Sequence, residues 1–236
     1  RPLITSEDNK LTATVGAVSQ STNVYDHIGR LTRISQSVNG GSTVILADYK
    51  YTDLGTKVKE KNMGSVNSGS TFLQSVDYSY NEKGWLTHIN NGDLSNDGIV
   101  SNDDANDLFG LDLNYYQDLK IDASKAVYNG NLAEQIWKST VTGDKKKGYL
   151  YSYDDLNRLI SANYRVYETN WTSSAENNRY SLNGITYYAN GNINTLQQNG
   201  MLGTNSFGLI DNLSYNYNGN QLMKVDDAVS TTASSP

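Results

Sequence analysis

Cysteine is absent from this 236-residue chain, and proline occurs only twice. The lack of cysteine excludes disulfides and thiol chemistry, and it suits a chain exported through an oxidising envelope as well as a cytoplasmic one. No apolar run approaches the roughly 18 residues that a membrane span needs, and the first residues do not resemble a signal peptide. We therefore expect no membrane span, and any export signal to lie elsewhere or to have been removed.

Positive charge is also scarce. The formal net charge is −6, and nucleic acids and anionic membranes both require a basic patch. The sequence therefore argues against both partners. The only basic run, residues 145–147, lies between Gly143 and Gly148, and this context predicts a solvated hairpin tip.

Histidine occurs twice, as His27 and His88. A nucleophilic triad needs a positioned base, and neither histidine accompanies a recognisable nucleophile motif. No carboxylate pair stands out from the many Asp residues, and neither a phosphate-binding glycine motif nor a zinc-ligand spacing is present. The sequence therefore predicts a protein that is not an enzyme.

Tyrosine and glycine are abundant instead. Only 37% of the residues are hydrophobic, but the chain has 18 Tyr and 20 Gly against 3 Phe and 3 Trp. A tyrosine buries its ring while its hydroxyl finds water or a hydrogen-bond partner. Gly and Asn are the residues that tolerate positive φ in tight turns. This composition predicts many β-hairpins.

A short sequence motif that begins with tyrosine recurs along the chain. Each unit reads as a strand that ends in Tyr, a turn built on Asp or Asn with Gly, and a return strand that opens with an apolar residue. The units are YDHIGRL at 25, YTDLGTK at 51, YNEKGWL at 80, YNGNLAE at 128, YDDLNRL at 153, YANGNIN at 188 and YNGNQLM at 217. The repetition predicts one hairpin per unit.

Alternation around the fifth unit supports this prediction. Tyr149, Tyr151 and Tyr153 fall on one face of a strand, and Leu150 and Ser152 fall on the other. A period of two is typical of a β-strand whose two faces differ.

We therefore expect an all-β fold, an elongated, curved antiparallel sheet of stacked hairpins. The repeat sheet would cover residues 25–225, with a loop or short-helix insertion at about 90–110. Residues 1–24 are predicted to be a polar N-terminal segment or a preceding strand, and residues 226–236 a polar C-terminal tail.

The units YDHIGRLTRI and YSYDDLNRLISA resemble the YD repeats of the RHS family, because they carry Tyr-Asp, a turn and Arg-Leu in order. The resemblance covers roughly residues 25–225. The run from DLFGLDLNYY through YNGNLAEQIWKS to YSYDDLNRL is similar to the variety found in very large secreted proteins of the Bacteroidetes group. Asn replaces Asp in the units at Tyr80, Tyr128 and Tyr217, and Ala replaces it at Tyr188.

The resemblance implies a shell. RHS proteins wind their repeats into a spiralling sheet that closes into a cocoon, commonly around a toxic C-terminal domain. On this interpretation the tyrosines brace the sheet and Asp26 and Asp154 hydrogen-bond the turns. The structural repeat residues would be Tyr25, Asp26, Gly29, Arg30, Tyr80, Gly84, Tyr128, Tyr153, Asp154, Arg158, Tyr188 and Tyr217.

The longest interval between units contains a second motif, DLSNDGIVSNDD at 93–104. Side chains that carry oxygen atoms occupy loop positions 1, 3, 5, 9 and 12, and Gly occupies position 6. This is the arrangement of an EF-hand calcium loop. Aspartate replaces the usual Glu at position 12, and this resembles the calcium loop of dockerin modules. The ligands would be Asp93, Ser95, Asp97, the Ile99 carbonyl, Ser101 and Asp104. The alternative is a solvated polar loop.

The segment ANDLFGL that follows this loop is expected to start a short helix. If calcium is bound, its role would be structural, because it would stiffen the insertion.

Three functions remain open. The first is a shell segment of a large exported protein, with the rest of its own polypeptide or an enclosed toxin domain as partner. The second is a cell-surface adhesin or carbohydrate-binding module, in which Trp85, Trp137 and Trp171 stack on sugar rings. The third is a section of secreted cargo captured with its export machinery. All three place the protein outside the cell or at its surface.

Overall fold

The protein is built almost entirely from antiparallel β-strands. A computed structural model describes residues 4–10, 18–66, 71–94, 107–141 and 143–229. It divides into two compact units, Arg1–Gly110 and Leu111–Pro236. The predicted all-β antiparallel fold is confirmed.

The described residues of the first unit form seven complete strands that pair in chain order, each antiparallel to the next. They are β1 (Ile4–Lys10), β2 (Val18–Tyr25), β3 (Leu31–Val38), β4 (Val44–Tyr51), β5 (Val58–Val66), β6 (Thr71–Tyr80) and β7 (Leu86–Ile89). Strand β8 (Phe109–Asn114) crosses the unit boundary. The segment before the first repeat therefore contributes strands of its own.

The second unit follows the same plan, and its strands from β9 onward also pair antiparallel in chain order. They are β9 (Glu134–Ser139), β10 (Lys147–Tyr153), β11 (Leu159–Val166), β12 (Leu182–Tyr187), β13 (Ile193–Gly203), β14 (Ser206–Asn218) and β15 (Gln221–Asp227). A 3-10 turn, Ala123–Lys125, precedes β9.

The core of the second unit is concentrated in strands β9 to β12. Ile136, Leu150, Tyr164 and Val166 are buried there. Tyr149 pairs with Tyr164 across β10 and β11, and the Tyr149 and Tyr151 rings stack with centroids 6.0 Å apart. The predicted alternation is therefore confirmed for Tyr149, Leu150 and Tyr151, and a register shift between Ser152 and Tyr153 interrupts it at the end of β10.

A buried carboxyl group fastens the loop before β9 to the sheet. Glu134 is fully buried. Its Oε1 accepts hydrogen bonds from the backbone N–H of Lys120 at 2.5 Å and from Asn114 Nδ2 at 2.8 Å. Its Oε2 accepts from the backbone N–H of Ile121 at 2.8 Å. Burial of a carboxyl group is tolerated when its oxygens are satisfied in this way.

The short helix expected from ANDLFGL is not formed by its described half, because Phe109 to Leu111 lie in strand β8. The physical reason is tertiary contact: the Phe109 carbonyl accepts from Asn90 Nδ2, and Gly110 passes close to the backbone of Asn91. A Cβ at Gly110 would lie 1.9 Å from the carbonyl oxygen of Asn91, so only glycine fits where β8 passes this residue.

Among the described residues, no helix is long and apolar enough to cross a membrane.

Candidate functional site

The repeat turn is closed by its first side chain. Asp26 Oδ1 accepts from the backbone N–H groups of Ile28 at 3.0 Å and Arg30 at 2.9 Å, and Asp26 Oδ2 accepts from Arg30 Nε at 2.6 Å. Gly29 has a φ of +85°, which a residue with a Cβ adopts only at a cost. The aspartate therefore holds both the turn and the arginine that follows it.

The same turn recurs at Asp154. Its Oδ1 accepts from the backbone N–H groups of Leu156 and Arg158, each at 2.9 Å, and its Oδ2 accepts from Arg158 Nε at 2.7 Å. Asn157, with a φ of +63°, occupies the place of the glycine. The predicted role of Asp26 and Asp154 agrees with this geometry.

In the repeat at Tyr80, asparagine accepts the same turn hydrogen bonds as the aspartates do, but it forms no ion pair. Asn81 Oδ1 accepts from the backbone N–H groups of Lys83 at 3.0 Å and Trp85 at 2.9 Å, and Gly84 has a φ of +76°. The substitution of Asp by Asn in this repeat therefore keeps the turn.

A β-bulge accompanies the turn in six of the seven repeats. The register shifts at the motif tyrosine in six hairpins, between Val24 and Tyr25, Lys50 and Tyr51, Ser79 and Tyr80, Ser152 and Tyr153, Thr186 and Tyr187, and Asn216 and Tyr217. A bulge re-aims a side chain and increases local twist. In four of these hairpins the tyrosine at the bulge donates its hydroxyl to the preceding repeat, namely Tyr51, Tyr80, Tyr153 and Tyr187.

Successive repeats are joined by a contact that we call the tyrosine–cation junction. Tyr51 of the second repeat donates its hydroxyl to the carbonyl of Leu31, the first residue of the preceding return strand, at 2.6 Å. Arg30, which precedes that strand, lies with its Cζ 4.4 Å from the Tyr51 ring centroid. Arg30 Nη1 also donates to the carbonyl of Gly55 at 2.8 Å. One repeat thus binds the ring, hydroxyl and turn of the next.

The junction recurs at Tyr80 in the first unit. The Tyr80 hydroxyl donates to the carbonyl of Val58 at 2.9 Å. Lys57 Nζ lies 4.5 Å from the Tyr80 ring centroid and donates to the carbonyl of Gly84. Lysine therefore replaces arginine without loss of the arrangement.

The second unit contains a further junction at Tyr187. Its hydroxyl donates to the carbonyl of Leu159 at 2.7 Å, and Arg158 Cζ lies 4.5 Å from its ring centroid. The sequence assigned Tyr188 to this place. The structure instead pairs Tyr187 with Ile193, as it pairs Tyr153 with Leu159, so the motif tyrosine of this repeat is Tyr187.

The remaining tyrosines of the pattern differ in environment. Tyr25 ends β2 opposite Leu31. Tyr153 donates its hydroxyl to the carbonyl of Leu132 at 2.8 Å, which is the hydroxyl half of a junction. Tyr128 is 70% exposed and stacks on Tyr116 at 5.3 Å.

Burial raises the pKa of the junction tyrosines Tyr51 and Tyr80 above the usual value of 10.0, and it does the same for Tyr153. Their hydroxyls therefore stay protonated at neutral pH and donate hydrogen bonds.

The carbonyl acceptors and the role of the cation were not identified by sequence reasoning, although a signal was present. Arg30, Lys57 and Arg158 each stand immediately before a return strand. A basic residue at that one position in three units would have indicated a shared contact.

The tryptophans considered for sugar binding are not equally accessible. Trp171 is buried and packs edge to face against Tyr167 with centroids 5.3 Å apart. Trp137 is half-buried and stacks on Tyr149 at 5.6 Å. Trp85 is half-buried beneath Lys83, whose Nζ lies 4.8 Å from its ring centroid.

The prediction of a solvated tip at residues 145–147 is wrong. Lys145 Nζ pairs with Glu168 at 2.7 Å and Glu176 at 2.6 Å, and Lys146 Nζ lies 4.4 Å from the Tyr167 ring centroid. Lys147 pairs with Asp144. Lys145 and Lys146 thus bind the long connection between β11 and β12, whose residues are far away in sequence.

The two histidines lie apart from these contacts. His27 is exposed in the first turn. His88 is half-buried on β7, with Nδ1 3.0 Å from Thr87 Oγ1.

Most of the predicted calcium loop lies outside the described residues, including Ser95, Asp97, Ile99, Ser101 and Asp104. Asp93 is described, and its backbone N–H donates to Asn91 Oδ1 at 2.9 Å. Among the described residues, no group of three or more His, Cys, Asp or Glu is arranged to hold a metal ion.

The two ends of the insertion lie close together. Asn90 Nδ2 donates to the carbonyl of Phe109 at 2.9 Å, and Asn90 Oδ1 accepts from the backbone N–H of Asp77 at 2.7 Å. Asn90 is buried. Asn90 therefore ties the strand pair at Asp77 to the start of β8.

The chain matches no protein-family model, and no curated protein sequence matches it. The resemblance to YD repeats therefore rests on the motif residues themselves.

The junction at Tyr187 predicts a measurable coupling. Tyr187→Phe should lower the free energy of unfolding by about 1 kcal/mol, because the Leu159 carbonyl loses its donor. In a double-mutant cycle, Arg158→Met and Tyr187→Leu should couple by about 0.5–1 kcal/mol, as expected for a partly exposed cation–π contact. Urea unfolding gives each free energy. Tyr128→Phe, at an exposed ring, is the matched control, and equal effects of the two Phe variants would contradict the junction.

The Asp154 turn predicts a specific acid sensitivity. Hydrogen bonds from the backbone N–H of Arg158, from its side chain and from Leu156 lower the pKa of Asp154 below its usual 3.8. A lowered folded-state pKa gives stability that is complete above the unfolded pKa and is lost as pH falls through the folded pKa. Asp154→Asn keeps the acceptor for the turn, as Asn81 does, but cannot titrate.

We expect the urea midpoint of the native protein to fall more between pH 5 and pH 2 than that of Asp154→Asn. Asp155→Asn, at the exposed neighbouring position, should behave as the native protein does. Parallel pH profiles for the native protein and Asp154→Asn would refute the assignment.

Proposed function

We propose that this chain is a non-catalytic wall segment of a large exported RHS-type shell protein that encloses a toxic or effector domain. The observation that carries the proposal is the tyrosine–cation junction. At Tyr51, Tyr80 and Tyr187 it joins successive hairpins by a backbone hydrogen bond and a cation over the ring, which is what a wall made of successive repeats requires.

The use of the motif residues supports a structural role. Asp26 and Asp154 have both carboxyl oxygens engaged in turn and arginine contacts. Arg30 and Arg158 are held by those carboxyls and by the rings of the next repeat. Side chains whose polar atoms are bound to neighbouring residues suit a structural role better than a catalytic one.

The partners of such a segment are the rest of its own polypeptide and the enclosed domain, and its place is outside the cell or at its surface. In the cargo hypothesis the same segment would travel with the export machinery.

The test is the identity of the native polypeptide. Intact mass and peptide mapping of source material should give a mass far above 26.0 kDa, with further tyrosine repeats and a C-terminal domain of different composition. A native mass near 26.0 kDa would refute the wall and favour the binding-module hypothesis.

We further propose that residues 93–104 hold a structural calcium ion. Asp93, Ser95, Asp97, Ser101 and Asp104 would supply side-chain oxygens, and Ile99 would supply its carbonyl. The ion would neutralise the carboxylates and stiffen the insertion. The EF-hand-like spacing of the oxygen-bearing residues supports this proposal.

Calcium at millimolar concentration should raise the melting temperature, and a chelator should reverse the rise, because a ligand that binds only the folded state stabilises it. Asp97→Ala should abolish the effect and the calcium heat in titration calorimetry. Asp155→Ala, in a repeat turn, should retain both. A calcium response that survives Asp97→Ala would place the ion elsewhere.

A further inference from the structure

Among the described residues, the pair of successive repeats at Tyr187 and Tyr217 lacks the cation of the tyrosine–cation junction, as does the contact of Tyr153 with Leu132. The position immediately before the return strand holds Arg30, Lys57 and Arg158 in three repeats. In the repeat that begins at Tyr187 it holds Asn192, immediately before Ile193 of β13. The next motif tyrosine along the chain is Tyr217.

Asn192 is too short to repeat the whole arrangement. Its Nδ2 lies 3.5 Å from the carbonyl of Gly219, a long counterpart of the bond from Arg30 to the turn glycine Gly55. Within the described part of the chain, no basic side chain lies over the Tyr188 or Tyr217 ring.

A cleft of about 410 Å³ opens at this position. It is lined by two tyrosines and by residues of the adjoining turns and strand, namely Tyr188, Ala189, Asn190, Asn192, Asn216, Tyr217 and Gly219. The Tyr188 hydroxyl donates to the carbonyl of Tyr215 at 3.2 Å, and Asn190 Nδ2 donates to Asn220 Oδ1 at 3.0 Å. The tyrosine rings meet edge to face with centroids 5.9 Å apart. The volume lies in the range of about 300–1,000 Å³ that small ligands occupy.

We propose that this cleft binds an alkylguanidinium group, such as an arginine side chain presents. The other junctions show what this position of the repeat accommodates. A guanidinium or ammonium group lies 4.4–4.5 Å from the tyrosine ring centroid, and Arg30 and Lys57 also donate to a turn carbonyl. An external guanidinium would occupy the same place between the rings and the Gly219 carbonyl.

The polar lining suits the five donors of a guanidinium. The side-chain oxygens of Asn192 and Asn216 are acceptors with no partner among the described residues. Asn216 Nδ2 donates to Asp226 Oδ2 at 3.3 Å, which places a carboxyl group beside the cleft. Lys224 pairs with the other oxygen of Asp226 at 2.5 Å, so the attraction comes mainly from rings and amides rather than from net charge.

The probe is N-acetyl-L-arginine amide, titrated while amide chemical shifts are followed by NMR. The matched control is N-acetyl-L-citrulline amide, which has nearly the same shape without the charge. We expect saturable shifts at Asn190, Asn192 and Gly219 with the arginine probe and none with the citrulline probe. A flexible Gly-Arg-Gly peptide tests whether the natural ligand is an arginine of a protein or a free small guanidine. If the peptide binds at least as tightly as N-acetyl-L-arginine amide, the ligand is an arginine on a protein. If the peptide binds more weakly, the ligand is a free small guanidine.

Variants locate the site. Asn192→Arg should fill the cleft from within, abolish the shifts and raise the melting temperature by about 2–4 °C. Asn192→Gln, longer but uncharged, should leave binding in place. Tyr217→Leu should weaken binding by about two- to five-fold, as loss of an exposed cation–π contact predicts, whereas Tyr217→Phe should retain it.

Equal binding of the citrulline probe would overturn the proposal, as would unchanged arginine binding by Asn192→Arg. Shifts at the same residues with a neutral sugar, but not with the arginine probe, would assign the cleft to another class of ligand.

Discussion

The hydrogen bond from a tyrosine hydroxyl to the carbonyl that opens the preceding return strand is the contact on which the rest of the structure depends. A two-stranded hairpin by itself is marginally stable in water. The bond adds about 1 kcal/mol and fixes the neighbour in register, and the basic side chain over the same ring adds about 0.5–1 kcal/mol more. Tyr51, Tyr80 and Tyr187 make both contacts. With few apolar side chains to bury, the chain stabilises its hairpins by joining them rather than by enclosing a large core.

The repeat turn and the tyrosine–cation junction share the arginine side chain. Asp154 closes its own turn and orients Arg158, and Arg158 lies over Tyr187 of the next repeat. The bulge at each junction tyrosine turns that side chain out of the regular alternation, towards the neighbour. A change at Asp154 therefore acts on the following repeat as well as on its own.

The sequence pattern predicted the hairpins, because strand alternation and turn chemistry are local properties. It predicted the roles of Asp26 and Asp154 for the same reason. It placed one motif tyrosine at Tyr188 instead of Tyr187, because two adjacent tyrosines cannot be told apart without the register. It predicted a helix where Phe109 begins a strand and a solvated tip where Lys145 meets Glu168 and Glu176. These outcomes depend on partners far away in sequence. The carbonyl acceptors could not be read from side chains at all.

The junctions also have a direction. Each tyrosine donates to a repeat that precedes it in the chain: Tyr51 to Leu31, Tyr80 to Val58, Tyr153 to Leu132 and Tyr187 to Leu159. When a ribosome releases the chain from its N-terminus, the acceptor of every such bond is made before its donor. A newly synthesised hairpin can therefore bind to the hairpin made before it. Within each unit the sheet can thus lengthen during translation, before the following segments are synthesised.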